Sequence, residues 1–431
     1  MSFLLKTGQE LELESGKRLL IQRFIGKGGQ GEVYEVKVGH EHFALKWYFD
    51  HQATSEQLNN IKKLISSGKP SNSFLWPIDI AHNSESESFG YIMGLRDPEY
   101  KSLFDLMKGR ANPGFETLAK ATFNLVDSFQ KLHGLGLCYR DISHGNIFFH
   151  EESGDVLICD NDNVGSNNIK SQGVVGTPRF MAPEIVRAEA FPNSDSDLFS
   201  LATLLFYMLF ISHPLEGKNE ADIRCFDQPA MNKLYGENPI FIFDPVNTTN
   251  HPVPGYHKNA IVYWNIYPDF LKDIFIKAFT TGIHPNKRVR GSEWKEALVQ
   301  LRDSIIPCAC GVENFAQYNK EPIICWNCKN TVLDIRLEFP RKFVTIHPQT
   351  KLYGHHIEPD QNYDFSEVKA QIIQHPQDPN ILGLKNLSNN IWQAIPLNGE
   401  MQPIDKERSV VIKPDTKVRF RKTEATIVYS A

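Results

Sequence analysis

The sequence predicts an α+β fold built in succession from a lobe of strands, a larger helical lobe, a small cysteine-paired ribbon and an all-β module. Three observations carry that expectation. Up to residue 95, apolar residues fall in short, partly alternating runs separated by glycine and polar turns. From Leu103 they recur at helical spacing. After Ile335 the helical period is lost again, in favour of short Val, Ile and Phe runs broken by Pro, Gly, Asn and Asp. At 431 residues the chain is too long for one ordinary core, so two or three domains are expected.

Composition narrows the class of partner. Hydrophobic content of 41% and charged content of 23% are those of a globular chain. Lys plus Arg number 46 against 51 for Asp plus Glu, a net charge of −5, which gives no general nucleic-acid or anionic-membrane footprint. The first residues are too acidic for a secretory signal, and the apolar run 198–211 is far short of the ~20 residues of a membrane span. A cytoplasmic protein is expected. Of its seven cysteines, Cys138, Cys159 and Cys225 are scattered among apolar residues and read as buried free thiols.

Taken in order, residues 3–22 alternate around Gly8 and Gly16, a hairpin leading into a strand. R-F-I-G-K-G-G-Q-G-E-V-Y-E-V follows, in which Gly26, Gly28 and Gly31 give G-x-G-x-x-G. A dinucleotide-binding glycine run opens a helix, whereas here Val33, Tyr34, Val36 and Val38 continue as a strand, and a second strand ends at Lys46. Such a flap, with Val33 on its second strand, lets backbone N–H groups approach phosphates, and Lys46 adds a point charge. Residues 54–66 read as a helix capped by Thr54 or Ser55, whose Glu56 is the candidate to orient Lys46. Residues 74–80 and 89–95 read as strands, the second presenting backbone groups of Met93 and Leu95 to an adenine.

Residues 115–135 form a helix stopped by Gly134 and Gly136 and deliver the chain to L-C-Y-R-D-I-S-H-G-N. Asp141, five residues before Asn146, has the spacing of a loop whose Asp accepts a proton from an attacking hydroxyl while the Asn carbonyl holds Mg²⁺. Alone, that spacing is equally an Asx-rich turn; the order of its neighbours decides. A hairpin over 147–149 and 156–159 ends at Asp160-Asn161-Asp162, and an Asp there is a Mg²⁺ ligand candidate. G-V-V-G-T-P-R-F-M-A-P-E-I-V carries Glu184, expected to pair with Arg288. Asp197 is expected to bond the backbone of the loop around Asp141 from the start of an apolar helix over 198–210.

In this order the motifs resemble the protein kinase family over roughly 17–305, with a small lobe to about residue 95 and a larger one to about 305; residues 1–16 precede it as a strand segment. The resemblance implies a two-lobed fold with ATP and Mg²⁺ between the lobes: Gly26, Gly28 and Gly31 over the phosphates, Lys46 on them, Asp141 as base, Asn146 and Asp160 on Mg²⁺. G-T-x-x-x-M-A-P-E is similar to the Ser/Thr class, which sets Thr177 beside the catalytic Asp. W-P-I-D, C-D-N-D and Y-W-N-I-Y-P-D-F resemble a bacterial subgroup. Its kinases accompany a metal-dependent protein phosphatase and von Willebrand A proteins in tellurium-resistance-associated phosphorylation triads. The implied activity is transfer to protein Ser/Thr hydroxyls, the chain's own included. Ser143 stands where that class carries Lys, and Asn161-Asp162 replace Phe-Gly; both favour the alternative, a nucleotide-binding pseudokinase scaffold. Arg140 is retained and can pair with a phosphorylated residue, for which Ser166, Ser171 and Thr177 are acceptors. Residues 214–268 replace the usual helix and read as a substrate or partner surface.

Beyond this region, C-A-C-G and C-W-N-C give Cys308, Cys310, Cys325 and Cys328, a tetrahedral Cys₄ set for a structural Zn²⁺ within a ribbon over 306–334. Residues 335–431 form the all-β module. G-L-K-N-L-S-N-N-I-W resembles forkhead-associated sandwiches, but His355 follows Gly354 where that family carries Arg and Ser-x-x-His is not found. A docking module is expected rather than a phosphothreonine reader.

Overall fold

A computed structural model describes residues 3–83, 87–167, 176–318, 322–358, 363–397 and 399–430. The chain divides into two compact units. The first comprises Met1–Pro113, Thr117–Asn265 and Lys272–Glu296; the second comprises Gly114–Glu116, Ile266–Leu271 and Ala297–Ala431.

The first unit begins with a closed antiparallel barrel. Its strands are β1 (Glu10–Leu13), β2 (Arg18–Lys27), β3 (Gly31–Val38), β4 (Glu41–Tyr48), β5 (Asp79–His82) and β6 (Phe89–Gly94), in the order β1-β2-β3-β4-β6-β5. Alternation drives it: Leu11, Leu13, Leu19, Ile21, Val36 and Leu45 share one buried cluster with Trp47 and Ile92. Helix α1 (Ser55–Ser67) starts where Thr54 Oγ1 accepts the Gln57 N–H at 3.1 Å, buries Ile61 and Leu64, and stops at Gly68 with φ 71°. The strand expected over 74–80 is confined to its last residues, β5. Pro77 has no N–H to donate, and the segment around it is held by isolated bonds, Leu75 N–H to Ile158 O before it and Ile78 N–H to Ile92 O after it.

The helical part follows. β7 (Tyr100–Ser102), β9 (Ile147–His150) and β10 (Val156–Ile158) form a three-stranded sheet, and β8 (Leu137–Cys138) pairs with β11 (Gly165–Ser166). They lie among α2 (Leu103–Met107), α3 (Phe115–Gly134), α4 (Pro183–Val186) and α5 (Ser194–Phe210). Asn193 caps α5 through a reciprocal bond with Ser196, and from Phe199 to Phe210 every side chain of α5 is buried, as in a core helix. Among the described residues no helix is long and apolar enough to cross a membrane. Arg288 Nη2 donates to both oxygens of Glu184 at 2.8 Å and Nη1 to Asp195 at 3.0 Å, so the buried charges meet as expected. After Leu215 the chain forms only short helices, such as Lys218–Ala221 and Gln228–Met231, until Lys258–Ile266. Buried Asn250 holds this stretch, donating to Leu215 O and Ile240 O and accepting from Asn219 N–H. Cys138 is buried as expected; Cys225 is exposed, because it lies in this stretch outside the packed helices.

In the second unit, two small hairpins, Ile305–Pro307 with Glu313–Phe315 and Ile323–Ile324 with Thr331–Val332, carry the four late cysteines. A six-stranded and a four-stranded antiparallel sheet follow, sharing a core of Leu337, Leu352, Ile372, Leu384, Trp392 and Val418 among others. Asp303 and His356 are buried together. The His356 Nδ1 accepts the Tyr353 N–H at 2.8 Å, which places the ring proton on Nε2, 3.1 Å from Asp303. That makes an Asp–His hydrogen bond of the pair, not a pair of metal donors. Burial drives the adjacent His355 down to about 3, so it is neutral there.

Candidate active site

The site lies within the first unit, where the barrel strands meet the loop after β8 and the segment after β10. The flap turns at Gly28, whose N–H donates to Gly31 O at 2.9 Å. Gly31 is obligatory on contact grounds: a Cβ there would stand 2.1 Å from Trp47 O. Register then places Val33 opposite Lys46, and Ala44 opposite Met93, after which Leu95 leaves the strand. Gly26, Val33, Lys46 and Met93 thus lie on β2, β3, β4 and β6, with Gly28 in the turn between β2 and β3 and Leu95 just past β6.

Asp141 is held from both sides. Thr177 Oγ1 donates to its Oδ1 at 2.8 Å, and Asn146 Nδ2 donates to its backbone O at 3.0 Å and to Oδ2 at 3.4 Å. Spending its amide N–H groups this way leaves the Asn146 side-chain oxygen as the group available to a hard cation. Asp197 fixes the loop behind it, accepting the N–H groups of Tyr139 at 2.6 Å and Arg140 at 3.0 Å, while Arg140 adopts φ 73°. Tyr139, fully buried, donates its hydroxyl to Cys159 O, and the Cys159 N–H donates to Asn146 O at 2.9 Å. Those bonds set the two oxygen donors Asn146 and Asp160 on adjacent strand ends. Ser143 is buried and accepts the Asn146 N–H through its backbone, so it shapes the turn.

Lys46 is the electrostatic centre. Its Nζ lies 2.5 Å from Asp160 Oδ1, 2.8 Å from Asp162 Oδ2 and 2.8 Å from Gln30 Oε1. Burial alone would lower its pKa, yet Asp162 first and then Asp160 hold it above its ordinary value, so the ammonium is charged. Burial, and then the neighbouring Asp162, raise the Asp160 carboxyl, against the pull of Lys46. Asp160 itself sits in the left-handed region, φ 55°, which a short polar side chain tolerates better than most others.

The expectation for Glu56 is corrected. It is exposed on the first turn of α1, whereas the partners of Lys46 are Gln30, Asp160 and Asp162. Helix α1 instead sends two amides to the segment after Asp160: Gln57 Nε2 to Asp162 O at 3.2 Å, and Asn60 Nδ2 to Asp162 O at 3.0 Å and Val164 O at 3.1 Å. Sequence reasoning missed Asp162, Gln30, Gln57 and Asn60. The one available signal was an acidic residue where an apolar plug or glycine is usual.

Of the three hydroxyl acceptors, Ser166 is exposed, with its backbone O 3.4 Å from Arg140 Nη2; Thr177 is committed to Asp141; Ser171 lies outside the described residues. In the second unit, Cys308 and Cys328 Sγ are 3.6 Å apart, Cys310 and Cys325 Sγ 3.7 Å, and all four lie within 4.8 Å of one another. A tetrahedron with metal–sulfur bonds of ~2.3 Å has edges of about 3.8 Å, so the four thiols fit one ion.

Comparison with known proteins bears on this geometry. The family model described as "Protein kinase domain" matches residues 19–252, more than half of the chain. Rat protein kinase C delta type is 27% identical over 214 residues, 47% of this chain and 30% of that protein. The Caenorhabditis elegans serine/threonine-protein kinase plk-2 is 26% identical over 222 residues, 46% of this chain and 31% of that protein. Escherichia coli protein kinase YegI is 23% identical over 317 residues, 70% of this chain and 48% of that protein. The chain thus spans less than half the length of each of these relatives.

Proposed function

Because the chain belongs to the protein kinase family, we propose that it transfers the γ-phosphoryl group of ATP to Ser or Thr hydroxyls of proteins, its own included. The observation that carries this reading is the held carboxylate of Asp141, with Thr177 on one oxygen and Asn146 on the other. A hydroxyl presented to Asp141 loses its proton to that carboxylate as its oxygen attacks phosphorus in line and ADP leaves. Thr177 holds the base in place, and Lys46 holds the triphosphate through its charge. Asn146 and Asp160 would hold Mg²⁺, whose contribution is to neutralise phosphate charge. Ser143 supplies no charge in place of the usual lysine, so a modest turnover is expected, and this position together with Asn161-Asp162 favours the second reading, a non-catalytic, nucleotide-binding scaffold. Incubating the full chain with labelled ATP and Mg²⁺ tests the reading. Label on Ser or Thr in the wild type, lost in Asp141→Ala, is expected; an unlabelled wild type, tested on itself and on a generic basic substrate protein, leaves only the scaffold.

The Cys₄ set holds structural Zn²⁺ in this reading, since all four donors come from the chain and none is spared for chemistry. The exposed stretch after Leu215 and the β-sandwich are the surfaces for protein partners, among them a metal-dependent phosphatase and a von Willebrand A protein. A cytoplasmic location fits the uncompensated thiols of Cys138, Cys159 and Cys225.

A further inference from the structure

We infer that Asp162, and no carboxylate of helix α1, is the residue that positions Lys46 for the triphosphate. The inference rests on the reading of Lys46 as the phosphate-contacting lysine. Lys46 faces two carboxylates that differ in kind. The Asp160 side chain is 35% exposed and open to the cleft; that of Asp162 is fully buried, with both oxygens within 3.0 Å of Nζ. Tyr48, itself buried, donates its hydroxyl to Asp162, and Gln57 donates to the Tyr48 oxygen at 3.0 Å. The backbone carbonyl of Asp162 is pinned by Gln57 and Asn60. Asp160 can therefore turn to a cation that enters with the nucleotide, while Asp162 stays with Lys46.

The charge balance explains the amides of α1. One ammonium already faces two carboxylates; a third, from the helix, would be repelled by both in a buried setting. Neutral Gln57 and Asn60 can donate to the Asp162 backbone with no such penalty. Helix α1 thus acts as a clamp on the segment that carries the lysine's partner. Gln30 of the flap joins the same network, accepting from Lys46 and donating to Asn163 at 3.1 Å, so flap, lysine and Asp162 segment are one hydrogen-bonded set.

The test uses the full chain and compares Asp162→Asn, Glu56→Gln and Lys46→Met with wild type. Turnover is measured at saturating MgATP and divided by the concentration of sites that bind MgADP, so that loss of folded protein does not register as loss of rate. Asp162→Asn is expected to lower turnover per site about 100-fold, the scale of losing one preorganised charged contact, and Glu56→Gln to stay within about twofold of wild type. Whatever activity Lys46→Met retains should fall no further when Asp162→Asn is added, because the aspartate acts through the lysine. Turnover per site within threefold of wild type in Asp162→Asn, or an equal loss in Glu56→Gln, overturns the inference. If Asp162→Asn does not fold, Tyr48→Phe carries the test: several-fold slower turnover per site supports the inference, and an unchanged rate overturns it. A wild type without activity would instead sink the kinase reading itself, and is read separately.

Discussion

At the scale of single residues, one buried side chain of the first unit makes stability depend on pH. His213 is buried, accepts the Leu215 N–H on Nδ1 and donates from Nε2 to Arg179 O, so it is held neutral. Burial lowers it to about 4; the Glu216 carboxylate 3.8 Å away opposes this, and Arg179 and His144 add to it. The folded pKa lies below the ordinary 6.5, so the unfolded chain binds the proton first as pH falls. This contribution is complete above about pH 6.5 and is lost between there and about pH 4, by up to roughly 3 kcal/mol. Thermal unfolding of wild type and His213→Gln, compared at pH 7 and pH 5, should show the wild type losing more of its midpoint on acidification. Other residue-scale features were legible in advance because a motif supplies both partners: Glu184 with Arg288, Asp197 with the Tyr139 and Arg140 N–H groups, Thr177 with Asp141. Asp162 was not, since a sequence cannot tell an aspartate sealed against a lysine from one facing water.

At the scale of elements, periodicity and capping placed α1, α3 and α5 to within a turn, whereas the strand over 74–80 failed at Pro77 for want of a donor. The four cysteines were legible from spacing alone. Their turns support the same fit: Cys308 N–H donates to Val312 O, Cys325 N–H to Asn330 O, and Gly311 and Lys329 take left-handed conformations. Asn314 and Asn327 each direct a side-chain N–H toward a sulfur, Cys325 and Cys310 respectively. Elemental analysis of the purified chain should find one zinc per chain, and Cys325→Ser should lose most of it and open the ribbon to proteolysis. Well under one zinc in the wild type counts against the assignment.

At the scale of the whole molecule, strand content was readable but strand partnership was not. The strand Asp334–Glu338 lies in its sheet beside Thr423–Ser430, at the far end of the module, and no local pattern announces that pairing. The order of motifs, by contrast, was enough to raise the expectation of a nucleotide site. Nucleotide binding there should register in the stability of the chain: a ligand at 100 times its Kd that binds only the folded state adds roughly 2.7 kcal/mol. A raised unfolding midpoint in MgADP, absent in Asp160→Asn, is the expected result; a shift that survives Asp160→Asn would remove that residue from the nucleotide site.

Both acidic partners of Lys46 come from one tripeptide, Asp160-Asn161-Asp162. For anyone surveying genomes, that changes the sorting rule. A filter that demands a carboxylate of the helix after the lysine strand paired with that lysine would discard this chain, whose one such residue, Glu56, is exposed. A filter for two aspartates flanking one residue after β10 would keep it, and would gather any other chain whose lysine takes its partner from that segment and not from the helix.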